Sequence, residues 1–153
     1  HTDNNQTEVY DNICQIPNAF MLPIIIANDF SDLTDYNLVY NISPPISKRL
    51  SQNDLLHIDA VHNHHIIYYL VGKAPITPYY HPPSLTYRHK VYHVDRKTEY
   101  QKIFNKKPRC VLVKGEPSSK FIDEYLVRDY LIEKTLYDDF HIYKINEEIN
   151  PQL

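Results

Sequence analysis

The sequence predicts an α+β fold: a mostly antiparallel sheet of about six strands, packed by one long C-terminal helix at about 118–137 and one short helix at about 98–106. Two observations lead to this prediction. Short runs of β-branched and aromatic residues, bounded by turn residues, recur along the chain as strands do. Between residues 109 and 145, patterns typical of a strand, a turn, a helix and a closing strand follow one another.

The length indicates one domain. A chain of 153 residues can bury about two-thirds of the surface that its unfolded form exposes, so it does not require a disulfide framework. Cys14 and Cys110 could pair or could be two separate buried thiols. We expect residues 1–8, which are polar and without periodicity, to be a mobile lead-in and residues 9–153 to form the domain. No apolar run approaches a membrane span in length, which favours a soluble chain, intracellular or secreted.

The first half of the chain contains several candidate strands. Prolines interrupt residues 9–27, which favours irregular or edge strands. Residues 36–42 are typical of a strand that ends at the prolines after Ser43. Residues 64–71 form a continuous β-branched and aromatic run up to Gly72, so we expect a central strand there. Residues 74–83 contain four prolines, so we expect this segment to be extended. It is the one candidate linker in the sequence.

The second half begins with a predicted strand at 85–94 and the short helix at 98–106. The β-branched run at 110–113 predicts a strand that stops at a turn containing Gly115 and Pro117. Residues 140–145 alternate apolar and polar side chains, which indicates a half-buried closing strand.

The long helix is predicted from helical spacing, with Ser118 or Ser119 as its cap. Asp129 falls in the middle of its apolar stripe, where a carboxylate needs a partner or loses its charge. A core Arg or Tyr hydroxyl is the ordinary partner, and a functional carboxylate is the alternative. The apolar positions are Phe121, Ile122, Tyr125, Leu126, Ile132 and Leu136.

Scarce glycine argues against nucleotide-binding loops, because only Gly72 and Gly115 could let backbone amides approach a phosphate. The turn before the long helix superficially resembles a P-loop. It lacks the second glycine, and Ser119 precedes Lys120 where the pattern needs Ser or Thr after the lysine. We interpret it as a capped helix start whose free amides could bind an anion weakly.

Nine histidines raise the possibility of a histidine-based metal-dependent enzyme. His62 and His64 would share one face of a strand, as would His89 and His93, so either pair could supply metal ligands. So many histidines generate such pairs by chance, and no adjacent glutamate offers a general base. We therefore assign no metal site, no cofactor and no catalytic residue from the sequence.

Charge is distributed unevenly. Residues 87–114 hold nine Lys or Arg against two acidic residues, a local +7 that leaves −10 for the remainder of the chain. Single-stranded nucleic acid would suit this segment, with cations for phosphates and aromatic rings for stacking. Alternatively, the segment faces acidic residues at 28–35 and 123–148 of the same molecule, or a protein partner. The interleaved rings are Tyr87, Tyr92, Tyr100 and Phe104.

The leading hypothesis is a non-catalytic interaction module that binds a protein partner or serves as a subunit of a larger assembly. Missing catalytic constellations and charge asymmetry favour it, and exposed tyrosines beside prolines are common interface material. Single-stranded nucleic-acid binding through residues 87–114 is the first alternative, and a metal-dependent enzyme is the second. The predicted partner-binding residues are Tyr79, Tyr80, His81, Arg88, Lys90, Tyr92, Lys106, Lys107 and Arg109.

Overall fold

The computed structural model describes residues 33–60, 64–79, 84–86, 88–137 and 139–151. Predictions for residues 1–8, residues 9–27 and Cys14 lie outside them. Contacts divide the chain into two compact units, residues 1–42 and residues 43–153. No helix within the described residues is long and apolar enough to cross a membrane.

Helix α1 (Leu33–Ser47) includes residues of both units. The strand predicted at 36–42 is wrong, because this segment is helical. Val39, Ile42 and Ile46 are buried at spacings of three and four residues, which is the helical and not the strand period. The two prolines that we expected to end a strand lie inside the helix, and the carbonyl of Pro44 accepts a hydrogen bond from Lys48 N at 3.1 Å.

Four strands form one mixed sheet in the described part of the second unit. They are β1 (Leu56–Asp59), β2 (Cys110–Lys114), β3 (Tyr130–Leu136) and β4 (Phe140–Ile145), in the order β1-β2-β4-β3. β1 and β2 are parallel, and the other two pairs are antiparallel. The α+β class is confirmed, whereas the prediction of six mostly antiparallel strands is wrong.

Two further segments that were predicted as strands contain a short helix and turns instead. Residues 64–71, predicted as a central strand, contain helix α2 (Ile66–Leu70), because a continuous apolar run fits a buried helical turn as well as a strand. Residues 88–94, which belong to another segment predicted as a strand, form turns instead. Hydrogen bonds from Tyr92 N to Arg88 O at 3.2 Å and from Val94 N to His89 O at 2.9 Å hold these turns.

The short helix is confirmed as α3 (Arg96–Asn105), whose N-cap Asp95 accepts a hydrogen bond from Thr98 N at 3.3 Å. The prediction of one long helix at about 118–137 is wrong. Helix α4 (Lys120–Asp129) ends where β3 begins, and β3 then pairs with β4 through a tight turn at Tyr137, which has φ of 51°. Pairing with β4 overrides the helical spacing of Ile132 and Leu136, and Ile132 is 54% exposed.

The early end of α4 also corrects the interpretation of Asp129. This carboxylate is half-buried at the end of the helix, 2.7 Å from Nη2 of its neighbour Arg128. It is therefore not a buried carboxylate in an apolar stripe. The core lies between the sheet and helices α3 and α4, and its fully buried members include Tyr100, Ile103, Val111, Val113, Ile122 and Leu126.

Candidate functional site

The carboxyl ends of β1 and β2 are joined by a buried polar cluster. Asp59, the last residue of β1, accepts hydrogen bonds from Ser118 N at 2.9 Å and from Ser118 Oγ at 2.7 Å. Tyr100 Oη donates to the same carboxylate at 3.3 Å and lies 3.1 Å from Ser118 Oγ. Desolvation raises the pKa of Asp59, and the hydrogen bonds from Ser118 oppose that rise. The cluster ties the loop after β2 to the end of β1.

His57 lies on the same face of β1 as Asp59, two residues earlier. Its ring meets Tyr100 and Phe104 edge-on, with both centroid distances 6.1 Å. Neither ring nitrogen has a hydrogen-bond partner among the described residues. Burial lowers the pKa of His57 to about 4, so the ring is neutral near pH 7. Because this imidazole does not bond Ser118, the cluster contains no Ser–His pair that would activate a nucleophile.

The amino ends of the same two strands are different, because a cavity of about 160 Å³ opens there. Its walls come from the residues just before β1 and just before β2, and from the end of β4. A backbone hydrogen bond connects the segments before β1 and β2, because Arg109 N donates to Leu55 O at 2.9 Å. The lining residues are Asn53, Asp54, Leu55, Lys106, Lys107, Arg109 and Ile145.

This cavity is basic. Arg109 forms an ion pair with Glu147. Burial alone would raise the pKa of Asp54, but hydrogen bonds from Ser51 and the charges of Arg109 and Lys73 hold that pKa below its usual value. The carboxylate is thus ionised near neutral pH. Three cationic side chains and one carboxylate line the cavity, which favours an anionic ligand.

A second, larger cavity of about 550 Å³ shares Lys106 with the first. Its walls combine apolar side chains with a polar rim. In that rim, Glu99 accepts a hydrogen bond from Thr77 Oγ1 at 2.7 Å and lies 3.9 Å from Lys102 Nζ. The lining residues are Ile76, Pro78, Tyr79, Glu99, Lys102, Ile103, Asn105 and Lys106. We call the surface formed by the two cavities the basic surface.

The structure brings four of the predicted partner-binding residues to the basic surface: Tyr79, Lys106, Lys107 and Arg109. Three others, Arg88, Lys90 and Tyr92, are exposed in the turns before α3 and line neither cavity. Tyr80 and His81 lie outside the described residues. Sequence reasoning missed the apolar wall, although the mixture of proline, isoleucine and tyrosine at 74–79 was a signal for it.

Two of the four rings proposed for nucleic-acid stacking are buried and cannot contact a base. Tyr100 is fully buried and Phe104 is 6% exposed, because both belong to the core. Tyr92 is 47% exposed, and Tyr87 lies outside the described residues. Among the described residues of this segment, two of the three proposed stacking rings therefore belong to the core and one, Tyr92, is exposed.

The candidate metal-ligating histidines have different surroundings. His64 is buried with its ring 5.5 Å from that of Phe140, and Nδ1 of His89 lies 2.8 Å from Thr86 O. His93 is exposed with φ of 53°, and His62 lies outside the described residues. Within the ranges that the structure describes, no three His, Cys, Asp or Glu residues are grouped to hold a metal ion. The metal-enzyme hypothesis stays an untested prediction.

Comparison with protein-family models, with curated proteins and with solved structures gives no match for this chain.

Proposed function

We propose that this chain is a non-catalytic interaction domain that binds a protein partner through the basic surface. The observation that best supports the proposal is the pair of adjoining cavities that share Lys106. One cavity is cationic, and the other combines apolar side chains with charged and polar ones. Protein interfaces commonly combine an apolar centre containing tyrosine with a charged rim.

Charge pairing within the molecule accounts for only part of the basic surface. Arg109 has Glu147 and Lys102 has Glu99. In the described part of the chain, no ion pair involves Lys106 or Lys107, and both are exposed. Two neighbouring lysines repel each other, and an acidic partner would relieve that repulsion. Their positive charge is available to another molecule.

A protein partner fits these features better than single-stranded nucleic acid does. Binding of single strands combines cations with exposed stacking rings, and here Tyr100 and Phe104 are core residues.

The test is capture of partners from native extract by the intact chain and by the double variant Lys106→Ala/Lys107→Ala. We expect the variant to retain about a tenth or less of the bound protein while unfolding at the same temperature. The matched control is Lys97→Ala/Lys120→Ala, which removes two exposed lysines that line neither cavity. Equal capture by wild type and the Lys106/Lys107 variant would overturn the proposal.

Labelled oligonucleotides at several salt concentrations test the alternative in the same samples. Binding that weakens steeply as salt rises, and that depends on Lys106 and Lys107, would replace the protein partner with nucleic acid.

A further inference from the structure

We infer that the basic surface recognises a short extended peptide carrying a carboxylate side chain, with a bulky apolar side chain two residues away. The carboxylate would enter the smaller cavity and the apolar side chain the larger one. This inference rests on the proposed interaction function and specifies the chemistry of its ligand.

The smaller cavity suits one anionic side chain. Its volume of about 160 Å³ is less than a third of that of the larger cavity, about 550 Å³. Lys106, Lys107 and Arg109 supply the donors, and a guanidinium fits the planar geometry of a carboxylate.

A single negative charge fits this cavity better than a phosphoryl dianion. Asp54 lies in the lining as an ionised carboxylate and offsets one of the three positive charges of Lys106, Lys107 and Arg109. Glu147 already engages Arg109 and neutralises part of its charge. We therefore assign the cavity to the side chain of Asp or Glu.

The larger cavity suits an apolar side chain. Ile103, which is 1% exposed, contributes to its wall, and Ile76 and Tyr79 pack against the same core cluster. The polar group at its edge is satisfied, because Glu99 is bonded to Thr77 and close to Lys102. Burial of one leucine-sized side chain there would favour binding through the hydrophobic effect.

We infer the spacing between the acidic and the apolar side chain from Lys106, which lines both cavities. Side chains two residues apart in an extended peptide project from the same side, about 7 Å from each other. Lys106 lines both cavities, so the cavities adjoin, and the inferred spacing assigns one side chain of such a peptide to each.

The experiment selects a random decapeptide library, displayed on phage, on the intact chain and in parallel on the Lys106→Ala/Lys107→Ala variant. We expect peptides enriched on the wild type to share Asp or Glu two positions from a large apolar residue, and the variant to lose that enrichment. Enriched peptides without an acidic residue, or the same peptides on both proteins, would overturn the inference.

Synthetic forms of an enriched peptide then separate the two cavities. Replacing the acidic residue by its amide should weaken binding about tenfold to wild type, and by less than twofold to the lysine variant. Replacing the apolar residue by alanine should weaken binding about tenfold to wild type and less to Pro78→Ala, which alters the exposed wall of the larger cavity. Tighter binding of a phosphoserine peptide would contradict the assignment of a carboxylate.

Failure of the two proposals can be distinguished. If the lysine variant loses the partner from native extract but the library shows no acidic–apolar pair, the recognition mode is wrong and the interaction function stands. If partner capture is also unchanged, both are wrong.

Discussion

The two ends of the parallel pair β1–β2 differ in what fills them. At the carboxyl ends, Asp59, Ser118 and Tyr100 hydrogen-bond one another in a buried cluster. At the amino ends, Lys106, Lys107 and Arg109 surround an open cavity. In open α/β sheets, ligands usually bind outside the carboxyl ends of parallel strands. Here the chain places its own carboxyl group, that of Asp59, at those ends, and the open basic cavity lies at the opposite ends.

The difference shows what the loop after β2 does. Backbone amides at such a turn commonly hold a bound anion. In this molecule the amide of Ser118 is bonded to the carboxylate of Asp59, and Gly115, with φ of 72°, makes the turn that precedes it. The hydrogen bonds of Asp59 and Ser118 thus have a structural role at the carboxyl ends, and the binding surface that we propose lies at the amino ends.

The largest expected effect tests the structural role of the carboxyl end. Asp59→Ala removes the acceptor of three hydrogen bonds and leaves buried donors unsatisfied, so we expect the free energy of unfolding to fall by about 3 kcal/mol. Ser118→Ala, the control, should cost about 1 kcal/mol. Urea unfolding at pH 7 measures both. A variant that stays as stable as wild type but loses partner capture would place function at the carboxyl end and break the comparison.

The second effect depends on pH and arises from His57. Its pKa is about 4 when folded and near 6.5 when unfolded, so the unfolded chain binds more protons between these values and stability falls as pH falls. Between pH 7 and pH 4.5 this group should remove about 2 kcal/mol.

His57→Phe keeps an apolar ring against Tyr100 and Phe104 and should abolish that component. The raised pKa of Asp59 acts in the opposite direction in both proteins, so the difference between their stability–pH curves isolates His57. Parallel curves for the two proteins would show that His57 does not carry the effect.

A smaller, opposite effect is expected at the amino end. Lys107 adopts φ of 50° just after α3, a conformation that glycine adopts at no steric cost. Lys107→Gly should therefore raise stability by about 0.5–1 kcal/mol while weakening partner binding. Lys97→Gly, within the first turn of α3, is the control and should lower stability without changing binding. Thermal unfolding and partner capture on the same samples measure both quantities. Lower stability of Lys107→Gly would exclude strain at this position.

The smallest effect sharpens the role of Arg109. Glu147 is 53% exposed in its ion pair with Arg109, so Glu147→Gln should change stability by no more than about 0.5 kcal/mol. It should nevertheless strengthen binding of an acidic peptide, because the guanidinium is no longer partly neutralised. Fluorescence anisotropy with a labelled peptide measures this. Weaker binding would mean that Glu147 orients Arg109 for the ligand.

Sequence reasoning predicted elements with a strong local signal. The β-branched run of β2 stops at a glycine turn, and β4 alternates buried and partly exposed side chains as its sequence does. Residues 130–136 were misassigned because their structure depends on pairing with β4, which local spacing does not contain. The continuous run at 64–71 has no periodicity that separates a strand from a buried helix.

The basic surface was also predictable only where its residues are close together in sequence. Lys106, Lys107 and Arg109 are nearly consecutive, so composition alone marked them. The opposite wall, residues 53–55, reaches them only because β1 pairs in parallel with β2. A pairing between strands 50 residues apart in sequence leaves no pattern at either strand.

The outer strand β3 has a consequence for self-association. It ends the described sheet and exposes Leu131 and Ile132, by 59% and 54% respectively. A straight apolar edge strand would template the addition of strands from other copies and promote aggregation. The register shift between Ile132 and Lys134 bends this edge, and two charged residues stand at the bend: Glu133, which forms an ion pair with Arg49 at 3.1 Å, and Lys134. We therefore expect Lys134 and the register shift to limit self-association at this edge, at positions separate in sequence from Lys106 and Lys107.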